Sequence, residues 1–180
     1  MNQKEIKQLI DMDILKMSAL NRYNNRDRIT QENIAEHSFY VSFAVMKLSE
    51  IFNVDNETKL RALQMSVLHD IPEIHTSDIP YPIKQKSPML KTALEKLELE
   101  FMKESYPQFY ETFHQFTEDS EDDAVILVKV ADAISVLQYA QREINLGNKT
   151  EDMMEIFTLT NIRINDGFKE LENRFKRQGE

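Results

Sequence analysis

The pair His69-Asp70 closes an apolar run, Ser66-Val67-Leu68, where a core helix would otherwise continue. A carboxylate placed in an interior without a partner costs several kcal/mol. A divalent cation satisfies both side chains, because imidazole nitrogen and carboxylate oxygen are common ligands. Two further polar residues break apolar patterns in the same way: His37 in Ala35-Glu36-His37-Ser38, and Asp132 in Lys129-Val130-Ala131-Asp132-Ala133-Ile134. Together His37, His69, Asp70 and Asp132 form a mixed nitrogen–oxygen set suited to one divalent ion: Mn, Co, Zn, Ni or Mg. A metal with an open position lowers the pKa of water and polarises a phosphoryl oxygen, so the expected chemistry is metal-assisted hydrolysis. Taken singly, each residue has a plainer explanation. His37 reads as a satisfied core histidine, Asp132 as a carboxylate paired with Lys129 or an arginine, and His69-Asp70 as a helix C-terminal cluster. Their joint occurrence favours the metal.

These four residues need elements that carry them to one place. A first helix is predicted over about residues 4–20, with Ile6, Leu9, Ile10, Ile14 and Met17 on one face. A basic loop comes next over residues 21–28, in which Arg26 and Arg28 read as solvated surface. A second helix starts near residues 30–33 and carries Ile34, Val41, Val45, Leu48 and Phe52. Asp55 or Asn56 can cap the third, which carries Leu60, Leu63, Val67 and Leu68 and ends around the His-Asp pair. Pro72, Pro80 and Pro82 break the segment after the pair into an ordered loop.

Leu90, Leu94, Leu97 and Phe101 mark a fourth helix, and Phe109, Phe113 and Phe116 a short fifth. A solvated acidic turn over residues 118–123 precedes a nearly all-apolar helix from Ala124 to about Leu146. Such a helix is expected to be central and buried, and Gly147-Asn148 stops it. A last amphipathic helix carries Ile156, Phe157, Ile164, Phe168, Leu171 and Phe175. His75 reads as an exposed loop histidine and His114 as structural. No alternating strand pattern occurs. The expected fold class is all-α: one domain over residues 1–180, a helical bundle with the metal site in its core.

Composition agrees. Hydrophobic residues make up 41% of the 180 and charged residues 29%, a globular balance. Three glycines against ten phenylalanines and nine methionines argue for long helices over a turn-rich β protein. There is no cysteine, which excludes disulfides and thiolate metal sites and fits a reducing compartment. No segment is long and apolar enough for a membrane span, and the N-terminus lacks a secretory core, so a cytoplasmic location is expected and no membrane partner. The net charge of −9 argues against a nucleic-acid polymer as partner. It leaves room for a small anionic substrate held by a metal and a few local cations.

The order of a His, a His-Asp pair and a distant Asp resembles the HD-domain superfamily of metal-dependent phosphohydrolases. Over residues 69–84 the run His-Asp-Ile-Pro-Glu-Ile-His-Thr-Ser-Asp-Ile-Pro-Tyr-Pro-Ile-Lys is similar to the signature of the bacterial HD-domain 5′-deoxynucleotidases. Asn21-Arg22-Tyr23, Glu36-His37-Ser38 and Lys129-x-Ala131-Asp132 fall in the same order, and the similarity spans roughly residues 14–150. The resemblance implies His37, His69, Asp70 and Asp132 as metal ligands and Glu73 as a general acid/base for the attacking water. It implies Asp78 as a second acidic residue near the sugar and phosphate, and Arg22 as the phosphate-binding arginine, whose planar fork suits phosphate. Lys84 would be a further phosphate contact. The family commonly carries Trp after that arginine, where it helps exclude a ribose 2′-hydroxyl. This chain has Tyr23, which can stack and exclude but whose hydroxyl can also accept a 2′-OH.

The implied reaction is hydrolysis of (2′-deoxy)nucleoside 5′-monophosphates to nucleoside and phosphate, with homodimerisation. A small HD-domain deoxynucleoside triphosphate hydrolase is the alternative, since Lys84, Lys86 and Arg26 could meet extra phosphates. A non-catalytic nucleotide-binding module ranks below both, because every chemical group that the reaction requires is present. Alarmone hydrolysis fits less well, because Glu73 is followed by Ile74 and not by an acid. The two-metal phosphodiesterases need more histidines than the four available.

Overall fold

The computed structural model describes residues 3, 6, 13–79 and 81–175, with residues 81, 82 and 85 as backbone only. Helices dominate it, and among the described residues the β structure is one bridge between Asn21 and Asn33. The helices are α1 (Ile34–Ile51), α2 (Asn56–Leu68), α3 (Glu73–Thr76), α4 (Tyr81–Lys86), α5 (Pro88–Ser105), α6 (Tyr110–Glu118), α7 (Asp123–Asn145) and α8 (Glu151–Arg174).

Local chemistry sets their ends. Asn33 and Glu36 close a reciprocal capping box on α1: Glu36 N donates to Asn33 Oδ1 at 2.9 Å and Asn33 N to Glu36 Oε2 at 3.2 Å. Asp55, rather than Asn56, caps α2, accepting from Glu57 N and Thr58 N. Asp122 caps α7 and also accepts two bonds of 2.8 Å from Arg61. The acidic turn is therefore more than a solvated segment, since Arg174 also bridges to Glu121 and Asp123. Gly147 lies just after α7 at φ 107°, the left-handed region that a stop after a helix requires.

Two expectations need correction. Of the first predicted helix, residues 4, 5 and 7–12 lie outside the described residues, and Asp13–Ala19 is a 3₁₀ helix. The segment after Asp70 is more structured than a loop. Consecutive turns (Ile71 N to Leu68 O, Glu73 N to Asp70 O) lead into α3. Ser77 at φ 65° turns the chain toward α4. Pro80 lies outside the described residues.

Helix α7 is the axis of the core, as its uniform apolarity predicts. It packs against α8, α1 and α2. Val41, Val45, Leu48, Met65, Val125, Leu127, Val128 and Leu171 form one continuous buried cluster among them. A second cluster, with Ile34, Leu68, Ile71, Met102 and Phe113, seats α5 and α6 under the start of α1 and the end of α2. Because α1, α2 and α7 are mutual neighbours, His37 in the first turns of α1, His69 at the end of α2 and Asp132 in mid-α7 must converge.

The closest approach of α7 and α8 depends on Gly167. A Cβ there would lie 2.5 Å from Val130 Cγ2. Valine in a helix has one strongly preferred rotamer and cannot swing aside freely. Gly167→Ala is expected to destabilise the fold by about 1–3 kcal/mol. The check is a denaturant titration, in which the midpoint falls at constant m-value.

Candidate metal centre and substrate cavity

His37 Nε2 lies 3.2 Å from Asp132 Oδ1 and 3.5 Å from Asp70 Oδ2. His69 Nε2 lies 3.2 Å from the same Asp70 oxygen. One ligand atom each from His37, His69 and Asp132 falls within 4.8 Å of the others, close enough to share one ion. The structure thus brings together all four residues that the sequence pattern singles out.

The donor set fits a cation on an observation independent of pattern. His69 Nδ1 lies 2.8 Å from the carbonyl oxygen of Ser66. A carbonyl only accepts, so Nδ1 carries the proton. In the neutral ring Nε2 is then a bare lone pair, buried, with no hydrogen-bond partner and a carboxylate oxygen beside it. A positive charge between them, a metal ion or a proton on Nε2, resolves that contact. His37 is oriented in the same manner, with Nδ1 3.1 Å from Ser135 Oγ and Nε2 toward the carboxylates. Such outer contacts fix the ring orientation of metal-ligating histidines.

Electrostatics reflect burial among charges. Burial, with the Arg22 cation behind it, pushes His37 down to about 4. Burial also opposes a charge on His69, but Asp70 and Asp132 outweigh it and raise the ring above its ordinary value. Burial opposes ionisation of Asp132, yet His37, Arg22 and His69 hold it at about 2. The same balance, led on the favourable side by His69, keeps Asp70 below the usual carboxylate range.

The cluster forms one wall of a cavity of about 690 Å³ that Arg22, Tyr23, Glu73, Asp78 and Lys84 also line. Arg22 is locked in place: its N–H donates to Glu32 O at 2.9 Å and its Nη1 to Glu32 Oε2 at 3.1 Å. Glu32 is itself buried, and burial pushes its carboxyl up to about 7 against the pull of Arg22. Tyr23 adopts φ 57°, an unusual conformation for a bulky residue. Its ring stacks on Tyr139 at 4.5 Å, and its buried hydroxyl has no hydrogen-bond partner.

Glu73 is buried, with Oε1 3.7 Å from Lys84 Nζ and Oε2 unpartnered. Burial raises its carboxyl well above the ordinary value, and the Asp70 and Asp78 carboxylates add to this. Burial raises Asp78 as well, against the pull of Arg22. A side-chain cluster able to hold a cation, beside a fixed guanidinium and two carboxyls of raised proton affinity, can bind a phosphate ester and move protons around it.

Several participants escape sequence reasoning. Arg26 is not surface: it lines the cavity and pairs with Asp152. Arg28 donates to Arg22 O and Asn24 Oδ1, holding the loop in shape. Of the two pairings expected for Asp132 the arginine holds: Arg163 of α8 lies 3.7 Å away, with His37 nearer at 3.2 Å. Glu143, fully buried, accepts from Ile29 N, Thr30 N and Oγ1, and Asn148 Nδ2, and so pins the Arg22-bearing loop to the end of α7. For Glu32 the available signal was its position directly before the cap of α1. His75 is exposed, as expected, and stacks on Phe101.

Comparison with known proteins agrees with this construction. A 5′-deoxynucleotidase of Vibrio vulnificus is 28% identical over 145 residues, covering 75% of this chain and 74% of the relative. Two solved structures share the fold. A Pyrococcus horikoshii protein has a TM-score of 0.72 at 24% identity, over 94% of this chain and 96% of its own. The cyanophage S-2L HD phosphohydrolase, solved with dA and one catalytic Zn²⁺ ion, has a TM-score of 0.70 at 19% identity, over 89% and 92%. Residues 12–176 match the family model described as 5′-deoxynucleotidase YfbR-like, more than half of the chain, and the protein belongs to that family.

Proposed function

We propose that this protein is a divalent-metal-dependent phosphohydrolase that converts 2′-deoxynucleoside 5′-monophosphates to nucleoside and phosphate. The observation that carries the reading is the convergence of His37, His69, Asp70 and Asp132, with an orphaned imidazole nitrogen, on a cavity that also holds the fixed guanidinium of Arg22. The 5′-deoxynucleotidase name of the family and of its curated relatives supports the substrate class. A divalent ion held by the four side chains would polarise a phosphoryl oxygen and make water more acidic. Its identity within Mn, Co, Zn, Ni and Mg is left to experiment; the zinc of the cyanophage protein supports zinc as one candidate.

The chain's own residues supply the rest. Arg22 binds the phosphate, oriented by Glu32, and Lys84 makes a further contact from α4. Glu73 takes the proton of the attacking water through its unpartnered oxygen. Asp78, within the field of Arg22, serves the sugar and leaving-group side. Tyr23 shapes the sugar site, with Tyr139 holding its ring. The protein acts as a single domain in the cytoplasm and as a homodimer. No helix among the described residues is long and apolar enough to cross a membrane. The exposed stripe Phe39, Phe43 and Met46 on α1, at i, i+4 and i+7, supports self-association, as does the outer face of α8.

Lys86 and Arg26 also line the cavity and keep triphosphate hydrolysis as the second reading. The experiment is phosphate release from ribo- and deoxynucleoside mono-, di- and triphosphates, with and without Mn or Co. Release from deoxynucleoside monophosphates, dependent on metal, is expected. Absence of release from any nucleotide by the metal-loaded protein sinks the enzyme reading, and release of triphosphate selects the second.

A further inference from the structure

Helix α8 offers the cavity one face: Asp152, Glu155, Ile156, Leu159, Thr160 and Arg163. Their alternating steps of three and one keep them on one side of a helix. The chemistry changes along that face. At one end Arg163 reaches Asp132 of the metal cluster at 3.7 Å. In the middle Ile156 and Leu159 are apolar, and Leu159 is 53% exposed although it lines the cavity. At the far end are two carboxylates; Asp152 is held by Arg26, and Glu155 is exposed at the wall. From Glu155 to Arg163 the helix rises about 12 Å, the scale of a whole nucleoside monophosphate and not of phosphate alone.

We infer that this face of α8 selects the base, with Glu155 reading the base edge and Ile156 and Leu159 supporting its ring. The inference rests on the nucleotidase reading above for the identity of the ligand. Charge fixes the direction. An anionic phosphate sits at the end that holds the His-Asp cluster and Arg22; at the far end Arg26 neutralises Asp152 and the exposed Glu155 carboxylate repels phosphate, so the base projects toward Glu155. The half-exposed Leu159 is then the surface that the base covers, which removes apolar area from water. A carboxylate only accepts hydrogen bonds. Glu155 therefore favours bases with an exocyclic amino group. Guanine is best, because a ring N–H and an amino group lie side by side and can meet both oxygens. Thymine and uracil present one N–H flanked by carbonyl oxygens, which a carboxylate repels.

The test is calorimetric titration of dGMP and dTMP into metal-loaded full-length protein carrying Glu73→Gln to prevent turnover, with and without Glu155→Gln. The expected result is dGMP binding about tenfold more tightly than dTMP. Glu155→Gln, whose amide both donates and accepts, brings the ratio near one at unchanged metal content. Leu159→Ser weakens both nucleotides and leaves the ratio. Equal affinity in the Glu155 protein, or a ratio that survives Glu155→Gln, overturns the inference, as does failure to bind either nucleotide. Turnover is read separately on the Glu73 protein. Selective binding without phosphate release from any nucleotide would remove the nucleotidase reading and keep the base wall. Release without base preference does the reverse.

Discussion

His69→Ala is expected to purify without its divalent ion and to lose phosphate release by more than about a hundredfold, beyond what loss of an outer-shell partner costs a metal site. The reason is geometric. His69 sits at the C-terminal cap of α2 with Nδ1 fixed on Ser66 O and Nε2 aimed at the cluster. Asp70 Oδ2 lies 3.2 Å from His69 Nε2 and 3.5 Å from His37 Nε2, so the imidazole contributes a donor that the neighbouring carboxylate does not duplicate. Alanine leaves Asp70 and Asp132 near a single imidazole, an excess of negative charge that holds an ion with fewer and worse-placed donors. Metal content by mass spectrometry and phosphate release read the two losses together. Thermal unfolding gives a third reading. Metal at a hundred times its Kd adds about 2.7 kcal/mol to a protein that binds it only when folded. The Tm of the natural chain should rise accordingly, and that of His69→Ala should not. A variant that keeps one tightly bound ion per chain removes His69 from the ligand set.

The residues of the His-Asp cluster were legible because each violates a strong local rule. A histidine on the apolar side of α1 and an aspartate inside an otherwise apolar α7 are costly unless something compensates them; the structure buries His37 and places Asp132 half-buried at the cavity wall. The helices were legible for the complementary reason. Long apolar periodicities and caps at Asn33, Asp55 and Asp122 act over a few residues, within reach of pattern reading. The start of the chain misled because Ile14 and Met17 have the spacing of an α-helix but lie in a 3₁₀ segment packed under α1 and α5.

What stayed hidden depends on distance along the chain. Glu143 near the end of α7 gives no local signal, yet it is buried, and residues 113 and 114 positions earlier donate to it. Arg163 carries no local signal, and Arg26 reads as loop surface or a contact for extra phosphates, until α8 folds back along the cavity. A buried charge whose partner is remote leaves no local anomaly, since the sequence around it is that of a solvated helix. The His-Asp cluster could be found from polar residues in apolar surroundings. The α8 wall of the cavity could not, because its residues are for the most part partly exposed and meaningful only once assembled.

Glu73→Gln is expected to keep the metal and lose about a hundredfold to ten-thousandfold in rate, the span of a positioned acid/base. The amide preserves the shape of the side chain beside Lys84 but cannot take a proton. The pH profile should identify the group. A base must be ionised, and burial together with Asp70 and Asp78 raises the Glu73 carboxyl well above its ordinary 4.5. The rate should therefore climb with pH through that raised value and level off above it. The residual rate of Glu73→Gln should lack this limb. Stability moves the other way. Between the unfolded value of 4.5 and the raised folded value, the folded chain binds more protons at Glu73 than the unfolded chain does. Its stabilising share is thus complete below the unfolded value and is lost as pH rises through the folded one. Measured metal-free, since a bound cation favours the ionised carboxylate, Glu73→Gln should match or exceed the natural chain in stability above neutral pH. A variant that is both more stable and nearly inactive would mark Glu73 as a carboxyl kept at a cost to folding for the sake of the reaction. One that is less stable and still active would make it a structural residue.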